Sequence, residues 1–146
     1  LQAVKTGEEL YFTDSQKHTE HVRLRVARGS VCCTASPWGY NGNIFVLSEN
    51  GILRRIDAKT GEETWDEPQR LAQGNYSASP LLADGKLYAT SEDGVTSVVA
   101  AYGDFEELAV NKLEGFTLSS LAVSRGRIYQ RTDQALYCIG GASEVP

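Results

Sequence analysis

Cys32 and Cys33 stand side by side, and adjacent thiols have one distinctive chemistry, oxidation to a strained vicinal disulfide ring. The surrounding "SVCCTASPW" also reads as the opening of a β-strand, where neighbours point to opposite faces; the competing expectation is two free thiols, one of them buried. Cys138, in the alternating "ALYCIG", is expected as a small core residue, and three cysteines leave at least one thiol unpaired within the chain. His18, Glu20 and His21 in "HTEH" carry ligand-type side chains. On a strand, residues three apart face opposite ways, and no further ligand cluster is near, so a solvated loop is expected there. Glu49, Asp93, Glu106 and Glu107 fall in turns or on outer strands, where solubility and edge protection account for them. With both histidines in one short stretch, no Ser/His/Asp set can be assembled, and neither a Gly-rich phosphate loop nor a Gly-x-Ser-x-Gly turn is present. These residues predict no catalytic site, no metal site and no bound cofactor.

The elements that would carry them repeat. "TASPWGYNGNIFVLSENGILRRIDA" (34–58) aligns without gaps on "SASPLLADGKLYATSEDGVTSVVAA" (77–101). The offset of 43 matches Ser36-Pro37 to Ser79-Pro80, Gly42 to Gly85, and the run Ser48 to Gly51 to the run Ser91 to Gly94. A third copy, "LSSLAVSRGRIYQRTDQALYCIG" (118–140), follows at an offset of 41. Within each copy, short runs such as "KLYATS" and "RIYQRT" are rich in aromatic and β-branched residues and bounded by Asp-Gly, Asn-Gly or Arg-Gly. Asn41-Gly42, Asn50-Gly51, Asp84-Gly85 and Asp93-Gly94 can supply the positive φ of two-residue hairpin turns. Each repeat is then a meander of four antiparallel strands, the fourth being "EETWDE" or "EELAVNK". Four strands every 40 to 50 residues, with no helix between them, is the signature of a β-propeller blade.

"DAKTGEETW" (57–65) resembles the tryptophan-docking motif of the PQQ-like (pyrroloquinoline quinone repeat) β-propeller superfamily. Asp57, Thr60, Gly61 and Trp65 stand where the motif has its Asp, Thr, Gly and Trp, and Arg55 replaces its usual Ala. A weaker copy, "AVKTGEELY", opens the chain; it keeps Thr6 and Gly7, has Tyr11 in place of Trp, and has Ala3 in place of Asp. The resemblance implies that the Trp ring docks on the neighbouring blade, with Gly61 closing the turn and Asp57 and Thr60 bonding turn backbone. In some dehydrogenases of this superfamily a vicinal disulfide packs on the quinone, which makes Cys32 and Cys33 a candidate redox pair.

The fold class expected is all-β: one propeller segment over 1–146, with a blade end at 1–13, an insert at 14–33 and blades at about 34–70, 77–113 and 117–140. In this reading Glu9 to Thr13 is a lone fourth strand, and the insert holds one half-buried strand, "HVRLRVA", with Arg23 and Arg25 on a solvated face. Three blades cannot close a ring, so the apolar faces call for a cover. Either the chain is the C-terminal part of a larger propeller, as its lack of methionine suggests, or a second copy completes the ring.

Other partners are bounded by charge and hydropathy. The formal net charge of −5 argues against broad contact with nucleic acid, and no apolar run reaches the roughly 18 residues of a membrane span. No signal segment is visible at the N-terminus. The resemblance implies a periplasmic or extracellular protein and a non-catalytic scaffold that binds proteins or small ligands. The alternative is a C-terminal fragment of a quinoprotein alcohol dehydrogenase, with quinone and calcium on the ring axis. That alternative calls for acidic residues at the starts of first strands, where this chain has Thr34, Ser36, Ser77, Ser79, Ser119 and Ser120.

Overall fold

The computed structural model describes residues 38–140 throughout, and before them the backbone of three strands at 2–6, 9–13 and 19–20. Among the described residues there is no helix; fourteen strands form four antiparallel sheets. The first repeat gives β4 (Trp38–Tyr40), β5 (Asn43–Leu47), β6 (Ile52–Asp57) and β7 (Gln69–Arg70), hydrogen-bonded in that order. The second gives β8 (Leu81–Ala83), β9 (Lys86–Thr90), β10 (Val95–Ala100) and β11 (Glu107–Lys112), again in chain order. The third gives β12 (Ala122–Ser124), β13 (Arg127–Arg131) and β14 (Leu136–Ile139). These are blade-like meanders, each strand pairing with the next.

Turn chemistry explains the meander and divides the expected hairpins into two kinds. Between first and second strands, Asn41-Gly42, Asp84-Gly85 and Arg125-Gly126 have positive φ at both residues, as a tight turn matched to strand twist requires. Between second and third strands only Gly51 and Gly94 of the expected pairs are left-handed. There the loop is four residues long, the glycine N–H donating to the Ser48 or Ser91 carbonyl. Both serine side chains reinforce it, each hydroxyl accepting from the first amide of the next strand, Ile52 or Val95.

The core lies between the first and second repeats. Phe45, Leu47, Leu53, Trp65 and Leu71 from one sheet meet Leu87, Ala89, Val99 and Ala101 from the next, with Tyr76 of the connecting segment fully buried among them. Register selects those faces: Leu47 lies opposite Leu53 and Leu87 opposite Val99, so each buried row runs straight across its sheet.

Four expectations need correction. Glu9 to Thr13 is not a lone strand: β2 (Glu9–Thr13) pairs with β1 (Gln2–Thr6) and with β3 (Thr19–Glu20), forming a three-stranded sheet. An isolated strand would leave both rows of its backbone groups unpaired, and the chain on either side supplies partners. The same strand corrects the loop expected at "HTEH", since Thr19 and Glu20 pair with Thr13 and Phe12. "EETWDE" is not the fourth strand of its sheet: only Glu63 makes an isolated bridge, to Ile56, and the ladder resumes at Gln69. Trp65 turns inward and Pro68 has no N–H to give the ladder, so the strand is displaced past both. Cys138 is exposed rather than in the core, because the buried cluster among the described residues lies between the first and second sheets and includes no residue of β14. "HVRLRVA", His18, His21, Cys32, Cys33, Thr34 and Ser36 lie outside the described residues.

Candidate functional site

The turn from Asp57 to Trp65 is built from its own backbone. The carboxylate of Asp57 accepts from the N–H groups of Lys59 and Thr60, both at 2.8 Å, and the Asp57 carbonyl accepts from Gly61. Those two backbone N–H groups, Thr60 first, hold the Asp57 carboxyl below the usual carboxylate range. Gly61 has φ 74°, which closes the turn where a side chain would be strained. The Thr60 hydroxyl accepts from Glu62 N–H, and Asp57 N–H donates to the Glu62 carbonyl. The chain thereby returns alongside β6 and delivers Trp65 to the core.

Trp65 is 7% exposed and lies edge-on to two rings, Phe45 of its own sheet at 6.0 Å and Phe105 of the following one at 5.4 Å. Arg55 covers the indole at 5.0 Å. Its guanidinium donates to the Thr64 hydroxyl and, across the joint, to the Gly103 carbonyl, each at 2.6 Å. Arg55 thus ties β6, the docking turn and the loop carrying Phe105 into one unit. Thr6 ends β1 and pairs with Glu9, Tyr11 in β2 pairs with Val4, and Gly7 lies outside the described residues.

A second seam repeats along the chain. The segment leaving each outer strand donates an N–H back to the four-residue loop of its own sheet, Tyr76 to Glu49 and Thr117 to Glu92. The preceding residue accepts from the equivalent loop of the following sheet: Glu92 N–H donates to the Asn75 carbonyl and Asp133 N–H to that of Phe116. The Asp133 carboxylate also accepts from Phe116 N–H at 2.7 Å. Ser77, one of the first-strand positions, donates to Glu92, while Ser120 accepts from Ser79 N–H at 3.0 Å.

Between two of these connecting segments opens a cleft of about 630 Å³ lined by Gln73, Gly74, Asp93, Val95, Lys112, Gly115 and Phe116. Gly115 in its wall leaves no room for a side chain, since a Cβ there would lie 2.4 Å from the Asp133 carboxylate and 2.8 Å from the Thr132 hydroxyl. One cation, one anion, an amide and an exposed aromatic ring converge on it, a set that binds polar or peptide-like groups and offers no nucleophile paired with a base. Among the described residues no group of three or more His, Cys, Asp or Glu side chains could hold a metal ion.

The sequence profile of the family described as outer membrane protein assembly factor BamB, a PQQ-like repeat family, matches residues 2–144. The chain belongs to that family. The fold agrees with the crystal structure of BamB from Moraxella catarrhalis, with a TM-score of 0.64 and 15% identity. The alignment covers 94% of this chain and 44% of that one, so the chain spans less than half of that structure's length. No curated protein sequence matches it.

Within this BamB-family propeller segment, sequence reasoning missed the residues that act between sheets. Arg55 looked like a mere departure from the motif, and Phe105 belonged to no pattern. The seam was missed because its repeated bonds, Tyr76 to Glu49, Thr117 to Glu92, Glu92 to Asn75 and Asp133 to Phe116, are made by backbone groups, which carry no residue signature. A usable signal did exist: Gly74 and Gly115 recur 41 residues apart just before the connecting segments.

Proposed function

We propose that this chain is a section of propeller wall acting as a non-catalytic binding scaffold in the periplasm or extracellular space. The observation that carries the reading is the division of labour among its side chains. Buried rows and the docking turn are occupied in stacking sheet on sheet, whereas Phe116 stays exposed in the wall of the cleft, with Leu118 and, on β11, Leu108 and Val110 also exposed. Exposed apolar side chains gathered near convergent polar groups mark contact surfaces. The family description, an outer membrane protein assembly factor, supports an envelope location and a protein partner.

Asp57, Thr60, Gly61 and Trp65 serve as the docking motif in this reading, with Thr6, Gly7 and Tyr11 as its weaker copy. The segment is one unit with blades at about 34–70, 77–113 and 117–140. The remaining blades of a larger propeller, or a second copy, cover the exposed Val123, Leu136 and Ile139 of the third sheet. Against the quinoprotein alternative, Ser77 and Ser120 bond within the fold at positions where that reading looks for cofactor groups.

The test places a photo-crosslinking amino acid at position 116 in cells and irradiates the envelope fraction. A discrete protein adduct, absent when the probe is at position 59 in the docking turn, is the expected result. No adduct at 116, together with saturable binding of pyrroloquinoline quinone and calcium to the purified chain, would overturn the reading in favour of the quinoprotein.

A further inference from the structure

The three outer edges of the described blades are not alike. β7 is two residues long and follows Pro68, so it offers almost no free ladder. β14 is the third strand of its sheet, and its open side is the position that a fourth strand of the fold occupies in the other two sheets. β11 is already a fourth strand. It runs six residues, all exposed and without proline, with a bulge at Leu108 where its register on β10 shifts, and among the described residues no strand pairs with its outer side.

Its free groups can be assigned. Leu113 N–H donates to the Gly94 carbonyl, so alternation along the antiparallel ladder turns the N–H and C=O of Lys112 and Val110 outward. On the side chains, Leu108 and Val110 are 42% and 52% exposed and lead along the strand to Lys112, where the cleft with Phe116 begins. The strand starts at Glu107, directly after Glu106, and ends at Lys112, giving it an acidic end and a basic end.

We propose that β11 is a docking edge for an extended peptide segment of a partner protein, which adds to the sheet as an antiparallel fifth strand. Main-chain hydrogen bonds to Val110 and Lys112 supply affinity. Apolar side chains at every second position of the partner lie along the regular part of the strand, against Val110, while at Leu108 the bulge breaks the alternation. Because the added strand runs opposite to β11, its acidic residue sits at its amino end, against Lys112, and its basic residue at its carboxyl end, against Glu107. This deepens the scaffold reading and rests on it, naming the surface and the kind of partner.

The probe is a labelled synthetic peptide of about eight residues, with valine at alternate positions, threonine between them, glutamate at the amino end and lysine at the carboxyl end. Fluorescence anisotropy measures its binding to the chain. Val110→Pro removes an outward N–H while leaving the β10 ladder its bonds, and an edge strand accepts proline at such a position. Saturable binding is expected, weakened at least about tenfold by Val110→Pro with unchanged thermal unfolding, a loss of the size that missing hydrogen bonds produce. The same loss is expected on the unaltered protein when the peptide is N-methylated at alternate residues, which keeps the proposal testable if the variant folds poorly. Absence of saturable binding, or equal binding of the parent and N-methylated peptides, would overturn it. A photo-adduct at position 116 that persists in Val110→Pro would overturn the β11 edge alone and leave the scaffold reading standing.

Discussion

Replacing Trp65 by alanine tests the joint between the first and second repeats. The indole is 7% exposed and touches rings from two sheets, so truncation removes contacts on both sides of the seam. Removing a buried large aromatic costs about 3–5 kcal/mol, a sizeable part of the roughly 5–15 kcal/mol that a domain has. At roughly 2–4 °C per kcal/mol for a chain of this size, the thermal midpoint should fall by roughly 10 °C. Trp65→Phe is the informative partner. The indole N–H is buried with no acceptor among the described residues, so phenylalanine gives up no hydrogen bond and loses only volume, about 1–2 kcal/mol. Far-UV circular dichroism during urea unfolding reads both variants, and a double-mutant cycle with Phe105→Ala isolates the ring contact at about 0.5–1.5 kcal/mol. A loss below about 1 kcal/mol for Trp65→Ala, or additivity with Phe105→Ala, would refute the claim that this ring joins the two sheets.

Three further outcomes follow from the same geometry. Arg55→Lys should not rescue the loss seen in Arg55→Ala, about 1–2 kcal/mol by urea unfolding, because an ammonium cannot hold Thr64 and Gly103 together while stacking on the indole. The Asp57 carboxyl is held low by backbone N–H groups, so its contribution is present above the unfolded value near pH 4 and is lost as pH falls through the lower folded value. Asp57→Asn should therefore be less stable than the parent at pH 6, with the gap closing toward pH 2 in thermal melts. Gln130 is 1% exposed and its amide nitrogen lacks a partner among the described residues; Gln130→Met should raise stability by about 1 kcal/mol, read as a higher urea midpoint.

The repeat was legible because it is written in turn residues. Gly42, Gly85 and Gly126 sit where the backbone must be left-handed, and their spacing alone reveals the hairpins. The fourth strand was less legible because two local rules compete in "EETWDEP": strand propensity favours pairing, while burial of Trp65 and the missing N–H of Pro68 break it. Cys138 was misplaced since alternation identifies a face but not whether another sheet covers it. The roles of Arg55 and Phe105 depend on which loop of the next sheet lies opposite, a tertiary fact with no trace in spacing. The cleft was invisible for a related reason: it is a gap between connecting segments, and Lys112 and Phe116 meet there only once the sheets have stacked.

Amide hydrogen exchange of two residues outside the strands tests the stacked-blade account most directly. The N–H groups of Glu92 and Asp133 donate to the Asn75 and Phe116 carbonyls of the segment leaving the preceding sheet, and separate sheets would leave them to solvent. Stacked sheets predict that both exchange as slowly as strand amides such as Leu87, in one cooperative unit. Free exchange of these two, with the strand amides still protected, would contradict the account, since the sheets would then form without joining.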